Sequence, residues 1–265
     1  MLRRTLWVAV VVGCCALPTR AVLIAYDGFN YPPSSNLGGQ NGGSGFSTPW
    51  ALGVAATVAA GSLSSGALQT TGNSVFTQAP TESLNRTLNF TLGTPGTSAY
   101  FSFLVQSPTT PDPNLSYGLG LLGTIDNLFI GKASFPPANS QYVLERFHGP
   151  GQVSSGVTAV AGATVLLVVH ADFTAGNDTF RLYVNPTPGG SEPATANAVK
   201  NDFDFGTFNA VQINGTATYL FDELRIGTTY ADAFAIPEPG IGLLTLGLLP
   251  LVRRGRLSAK RRSQA

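Results

Sequence analysis

Residues 99–106, AYFSFLVQ, and residues 163–173, ATVLLVVHADF, decide the fold. The first alternates, placing Phe101, Phe103 and Val105 on one face and Tyr100, Ser102 and Leu104 on the other. A period of two is that of a β-strand with one buried side. The second is an unbroken run rich in Val and Leu, as expected of a central strand covered on both faces. DTFRLYV (178–184) alternates again, with Phe180, Leu182 and Val184 turned inward. Similar stretches occur at 22–29, 86–92, 115–122, 125–131, 141–147, 154–160, 203–208, 210–214 and 219–227, separated by Gly, Pro, Asn and Ser. A dozen strands without a convincing helix predict an all-β fold, a two-sheet antiparallel β-sandwich. Its core should hold Phe101, Phe103, Val105, Leu166, Val168, Phe180, Leu182, Leu224 and Ile226. IDNLFIG (125–131) and FDELRIG (221–227) echo one another, which two core-facing strands ending at a Gly turn explain.

Charge narrows the function classes. The chain has 15 Lys+Arg and 14 Asp+Glu. Nine of the basic residues lie in the two ends, while all acidic residues fall between 22 and 239, leaving six cations there and a formal charge of −8. Such a body is unsuited to nucleic acid, whose phosphates require concentrated Lys and Arg.

The ends read as addresses. MLRR followed by the 12-residue apolar run LWVAVVVGCCAL (6–17), Pro18 and TRA predicts a signal peptide over 1–21, cleaved at Ala21 or Ala25. The run is shorter than the roughly 20 residues of a membrane span. VVGC (11–14) offers an alternative, lipidation at Cys14. Both cysteines, Cys14 and Cys15, lie inside this segment, so the mature chain should hold no disulfide, thiolate nucleophile or Cys-bound zinc. At the other end stand Pro237-Glu238-Pro239, an apolar run over 240–252 and a basic cluster opening with Arg253, Arg254 and Arg256. The 13 residues of that run would reach only about 20 Å as a helix, short of a ~30 Å hydrocarbon core. Gly240, Gly242, Gly247 and Pro250 weaken a helix further, and the basic cluster would stay cytoplasmic.

YDGFNYPPSSNLGGQNGGSGFSTPW (26–50), VVHADFTAGNDTFRLYVNPTPG (168–189) and FDELRIGTTYADAF (221–234) together resemble the LamG-like, concanavalin A-like jelly rolls of exported bacterial proteins. The resemblance implies jelly-roll topology over 22–235. The tail over 236–265 resembles the PEP-CTERM sorting signal. That resemblance implies a short C-terminal apolar sorting helix, transient inner-membrane insertion through 240–252, processing by an exosortase-type protease near Pro237, Glu238 and Pro239, and delivery to the cell surface or an exopolysaccharide matrix.

The body offers little catalytic machinery. Its histidines, His148 and His170, have no zinc-ligand spacing, and no serine sits in a nucleophile elbow. Glycosidases need two carboxylates flanking the bond. Asp222 and Glu223 are adjacent, and regular alternation would turn them to opposite faces. Asp202 and Asp204 could share a face, but NDFDFG reads equally well as a turn entering a strand. GGQNGGSG (38–45) lacks the Lys and the following helix of a P-loop. No catalytic residue is therefore assigned. No cofactor is expected, though oxygens in DFTAGND (172–178) and DPN (112–114) leave calcium as an option. Trp50, the one tryptophan outside the signal, is the candidate glycan contact, with Tyr31 and Tyr117 beside it; core packing is the competing role for all three. The sequence thus predicts an exported, non-catalytic surface or matrix protein with weak carbohydrate affinity at most and no nucleic-acid partner. The alternative is a secreted carbohydrate-active enzyme, hydrolase or lyase, on the same fold.

Both ends can be weighed. The intact mass of the exported protein should lack residues 1–21 and the terminal RRGRLSAKRR segment. Recovery of the full chain would overturn the sorting reading, and a diacylglyceryl group on Cys14 would replace it with a lipoprotein.

Overall fold

A computed structural model describes residues 23–52, 56–78, 82–147 and 151–235. The expected signal peptide, the tail with Pro237, Glu238, Pro239, Arg253, Arg254 and Arg256, and His148 lie outside the described residues. The first strands are β1 (Leu23–Asp27), β2 (Thr57–Ala59), β3 (Ser74–Thr77), β4 (Glu82–Leu92) and β5 (Ser98–Gln106). There follow β6 (Tyr117–Gly123), β7 (Asn127–Lys132), β8 (Gln141–Arg146), β9 (Val153–Thr158) and β10 (Thr164–Asp172). The last are β11 (Thr179–Val184), β12 (Ala198–Lys200), β13 (Phe208–Gly215) and β14 (Tyr219–Gly227). The only helix among the described residues is a 3₁₀ turn, Tyr230–Phe234.

The strands form two antiparallel sheets, as expected. One has eight strands in the order β12-β11-β10-β5-β14-β3-β2, with β1 also on β14; the other has six, β4-β13-β6-β7-β8-β9. β14 can serve both β1 and β3 because a bulge divides it: Asp222 pairs with Leu104 and Arg225 with Ser102, leaving two residues opposite one. β2, β3 and β12 escaped the sequence reading because each has only three or four residues. The stretch 203–208 is a turn that enters β13 at Phe208.

Phe101, Phe103, Val105, Phe180, Leu182, Leu224 and Ile226 are fully buried between the sheets. Leu166 and Val168 are buried too, but in a second cluster on the outer face of the eight-stranded sheet, with Tyr100, Leu104, Tyr183 and Tyr230. The inter-sheet residues of β10 are Val165, Leu167, Val169 and Ala171. A strand apolar on both faces carries no alternation to distinguish them. Ala25, the second proposed cleavage point, lies within β1 and is fully buried, so cleavage there would divide a core strand. Among the described residues no helix is long and apolar enough to cross a membrane.

A buried ion pair ties the sheets together. Asp27 on β1 accepts from Arg86 on β4 at 2.5 Å, from Tyr31 at 2.7 Å, from the Trp50 indole at 2.9 Å and from the Phe29 amide at 2.9 Å. The Arg86 guanidinium lies 4.0 Å from the Phe46 ring centroid and also donates to the Gly42 carbonyl at 2.6 Å.

Two substitutions check this core by urea unfolding. Leu182→Ala should lower stability by roughly 2–5 kcal/mol through cavity formation. Arg86→Ala should lower it by roughly 3–5 kcal/mol, because it strands a buried carboxylate. A loss below about half a kcal/mol at either position, the level of an ordinary surface change, would contradict the placement.

Candidate functional site

The outer face of the six-stranded sheet is chemically graded and covered at its centre, where Phe129 and Val143 are buried with Ala133 and Ala138 in a third cluster. Inner positions of β6 are Leu119 and Leu121, so the intervening Gly118 and Gly120 face outward, as does Gly131 of β7. Strand register then builds two rows across the sheet. Asn85, Gln212, Gly120, Phe129 and Glu145 form one; Ser83, Asn214, Gly118, Gly131 and Val143 form the other. Amides and a hydroxyl stand on one side, bare backbone in the middle, and aromatic and acidic groups on the other. From β13 to β8 this face spans three strand spacings, about 14 Å.

The polar side is a connected rail. Gln212 donates to Asn85 at 2.6 Å, and Asn214 donates to Gln212 at 2.6 Å and to Ser83 at 3.1 Å. The opposite wall holds Phe129 and Phe147 edge to face at 6.1 Å, and the Glu145 carboxylate, which accepts from Gln152 at 3.1 Å. Phe135, 64% exposed, stands at the rim beside Pro136 and Pro137. Ser83 and Asn214 of the rail, with Phe129, Phe135, Glu145 and Phe147, are among the residues that line a groove of about 940 Å³. Amide groups both donate and accept, and exposed rings offer flat apolar surface; that combination suits a polyhydroxylated ligand.

The residues singled out from sequence lie elsewhere. Trp50 is 1% exposed and stacks on Phe29 at 5.9 Å, so it is a core residue and not a glycan contact. Its indole N–H finds its partner in Asp27, which is what allows a tryptophan to be buried there. Tyr31 is buried against Asp27, and Tyr117 is buried and stacked on Tyr219 at 5.2 Å. Asp202 is exposed and paired with Lys200 at 2.8 Å, while Asp204 accepts from the Gly206 amide, so neither faces the groove. The oxygens considered for calcium are engaged within the protein: Asp178 by the Thr174 and Phe205 amides, Asp172 by Ser98 and Arg181, Asp112 by the Asn114 amide. Among the described residues no group of three or more His, Cys, Asp or Glu is arranged to hold a metal. The groove residues escaped notice because amides and glycines carry no motif. Their signal was the alternation of YGLGL in β6, apolar on one side and empty on the other.

His170 fastens a loop on the other sheet. Its ring stacks on Tyr100 at 4.2 Å and lies between Glu192 at 2.8 Å and Asp172 at 3.0 Å. Glu192 also accepts from Tyr100 at 2.9 Å and Tyr183 at 2.7 Å, which holds the connection between β11 and β12 against the sheet. Partial burial alone would raise the Glu192 carboxyl, but Tyr183, Tyr100 and His170 together hold it below its ordinary range.

No sequence-family model matches this chain, and no curated protein sequence does. Solved structures do. Domain 4 of AbnA, an extracellular arabinanase from Geobacillus stearothermophilus solved in complex with arabinotriose, is 14% identical with a TM-score of 0.51, covering 81% of this chain and 97% of that one. An endo-1,3-β-glucanase from Streptomyces sioyaensis is 10% identical with a TM-score of 0.49, covering 81% and 98%. At such identity the likeness is one of fold: this chain is a jelly-roll sandwich.

Asp222 and Glu223 do share a face, contrary to simple alternation. Glu223 has φ of 56°, and the bulge it creates turns both carboxylates outward from the eight-stranded sheet. They are fully buried beneath the segment before β3. Asp222 accepts from Ser62 at 2.5 Å and the Leu63 amide at 2.7 Å; Glu223 accepts from the Thr71 amide at 2.5 Å, Tyr26 at 2.9 Å and Arg225 at 2.6 Å. The pair is a clasp without room for a sugar. Burial, reinforced by neighbouring Glu223, pushes the Asp222 carboxyl up to about 8 from 3.8. Its neutral form is therefore favoured in the folded state. That contribution is complete below about pH 4 and declines as pH rises toward about 8. Asp222→Asn should flatten this slope and raise stability most at the alkaline end of a urea-unfolding pH series. An unchanged slope would exclude the buried proton.

Proposed function

We propose that this chain is an exported, non-catalytic surface or matrix protein whose six-stranded sheet binds polysaccharide along its outer groove. The observation that carries the reading is the groove lining: Ser83 and Asn214 from the amide rail, Phe129 and Phe147, and the exposed ring of Phe135. The fold shared with an arabinanase domain solved on arabinotriose supports it. A PEP-CTERM-like tail processed by an exosortase-type protease, after transient membrane insertion through 240–252, would deliver the body to the surface or matrix.

The enzymatic alternative meets a stoichiometric obstacle. Among the described groove residues Glu145 is the single carboxylate, whereas acid–base hydrolysis uses a pair about 5–10 Å apart. Of the close acid pairs outside the groove, Asp222 and Glu223 are sealed, and Asp172 and Glu192 are engaged by His170, Arg181, Tyr100 and Tyr183.

Phe135→Ala should weaken polysaccharide binding about tenfold, within the range of a lost stacking contact, while leaving the thermal midpoint unchanged. Incubation with the bound polymer should release no new reducing ends and no unsaturated product. Turnover that disappears in Glu145→Gln would replace the binding reading with an enzymatic one.

A further inference from the structure

The described body contains six basic side chains, and each is held within the protein. Arg86 is locked on Asp27, as above. Lys132, fully buried, donates to the carbonyls of Asp112 and Leu115, and burial draws its ammonium down to about 8. Lys200, also buried, donates to the Gly151 carbonyl at 2.5 Å and pairs with Asp202 at 2.8 Å. Arg225 is buried on Glu223 and on the Gln69 and Ala235 carbonyls, at 2.6, 2.6 and 2.8 Å. Arg146 and Arg181 are partly exposed, but each is ion-paired, with Asp126 and Asp172 respectively. Fourteen acidic residues share the span with these six cations, for a formal charge of −8. The groove follows the same rule. No Lys or Arg lines it among the described residues, and the charge it carries is that of Glu145.

From this we infer that the groove is selective for neutral polysaccharide and discriminates against polyuronates, an assignment that rests on the glycan-binding reading above. A uronate carboxylate entering the groove would meet no Lys or Arg among the described lining residues, would be desolvated beside apolar rings and would come near the Glu145 carboxylate, a combination that costs free energy. Neutral hydroxyls meet the Asn214 amide and the Ser83 and Thr216 hydroxyls, each able to donate and accept. The selectivity comes from exclusion by charge, and affinity comes from stacking and neutral hydrogen bonds. Binding should accordingly be insensitive to salt, unlike capture of a polyanion by free cations.

Affinity electrophoresis of the exported protein tests this with named polymers: arabinan, dextran and a β-1,3-glucan as neutral probes, polygalacturonate and alginate as anionic ones. At least one neutral polymer should retard the protein, with an apparent Kd that changes less than about twofold between low and high salt. Polyuronates should bind at least about tenfold more weakly, with or without calcium. Glu145→Gln should narrow that gap, a readout that loss of folding does not mimic. Polyuronate binding as tight as neutral binding, with a steep salt dependence or a calcium requirement, would overturn the assignment. Retardation by none of the five polymers would instead overturn the groove reading itself, and this inference with it.

Discussion

The Asp27–Arg86 pair is the constraint on which the architecture hangs. Removing a carboxylate and a guanidinium from water is expensive, and attraction offsets the loss only when every remaining donor and acceptor is met. The protein meets that demand with Tyr31, Trp50, the Phe29 amide and the Gly42 carbonyl, residues drawn from one continuous stretch that wraps the sandwich edge. The glycine-rich loop over 38–45 therefore has a physical purpose. Gly43 and Gly45 have positive φ and pass so near β1 that a Cβ would strike the Tyr26 and Ile24 carbonyls. Because Arg86 points inward from β4, its neighbour Asn85 points outward into the amide rail. The buried charge thus sets the register of the outer face of the six-stranded sheet as well as the union of the sheets.

How much of this was legible in the sequence depends on the residue. Phe101, Phe103 and Val105 announced their face, because β5 alternates against polar and mixed neighbours. Val168 did not, since β10 is apolar on both sides and either phase satisfies it. Trp50 misled for a chemical reason: a lone tryptophan beside Pro49 reads as an exposed platform unless its N–H partner is known, and Asp27 is 23 residues away. The acid pair misled for a conformational one. A glutamate in left-handed geometry has no local marker, so the bulge that brings Asp222 and Glu223 together was invisible. The amide rail was visible only once register was known, because its members come from two strands far apart in the chain.

The two sheets divide the work between them. The outer face of the eight-stranded sheet is roofed by the segment before β3, the 3₁₀ turn and the loop carrying Glu192, and its polar groups serve as fasteners. Its carboxylates hold loop amides, tyrosine hydroxyls and Arg225, and the partly exposed Asp172, His170, Glu192 and Arg181 satisfy one another. The six-stranded sheet instead presents the groove beside Phe135. Rigidity on one side and access on the other are what a scaffold for recognition requires.

Gly120 separates the outer surface of the sheet from its packing. At Gly120 an added methyl would meet the Gln212 side chain at 3.4 Å and its carbonyl oxygen at 3.7 Å, ordinary van der Waals approaches, while Leu119 and Leu121 on the opposite side would be undisturbed. Gly118 and Gly131 are different, since a Cβ there would strike the Ile130 and Tyr117 carbonyls at 2.1 and 2.2 Å. Of the three glycines, Gly120 is thus the position where the outer surface could change while the packing beneath it stayed fixed.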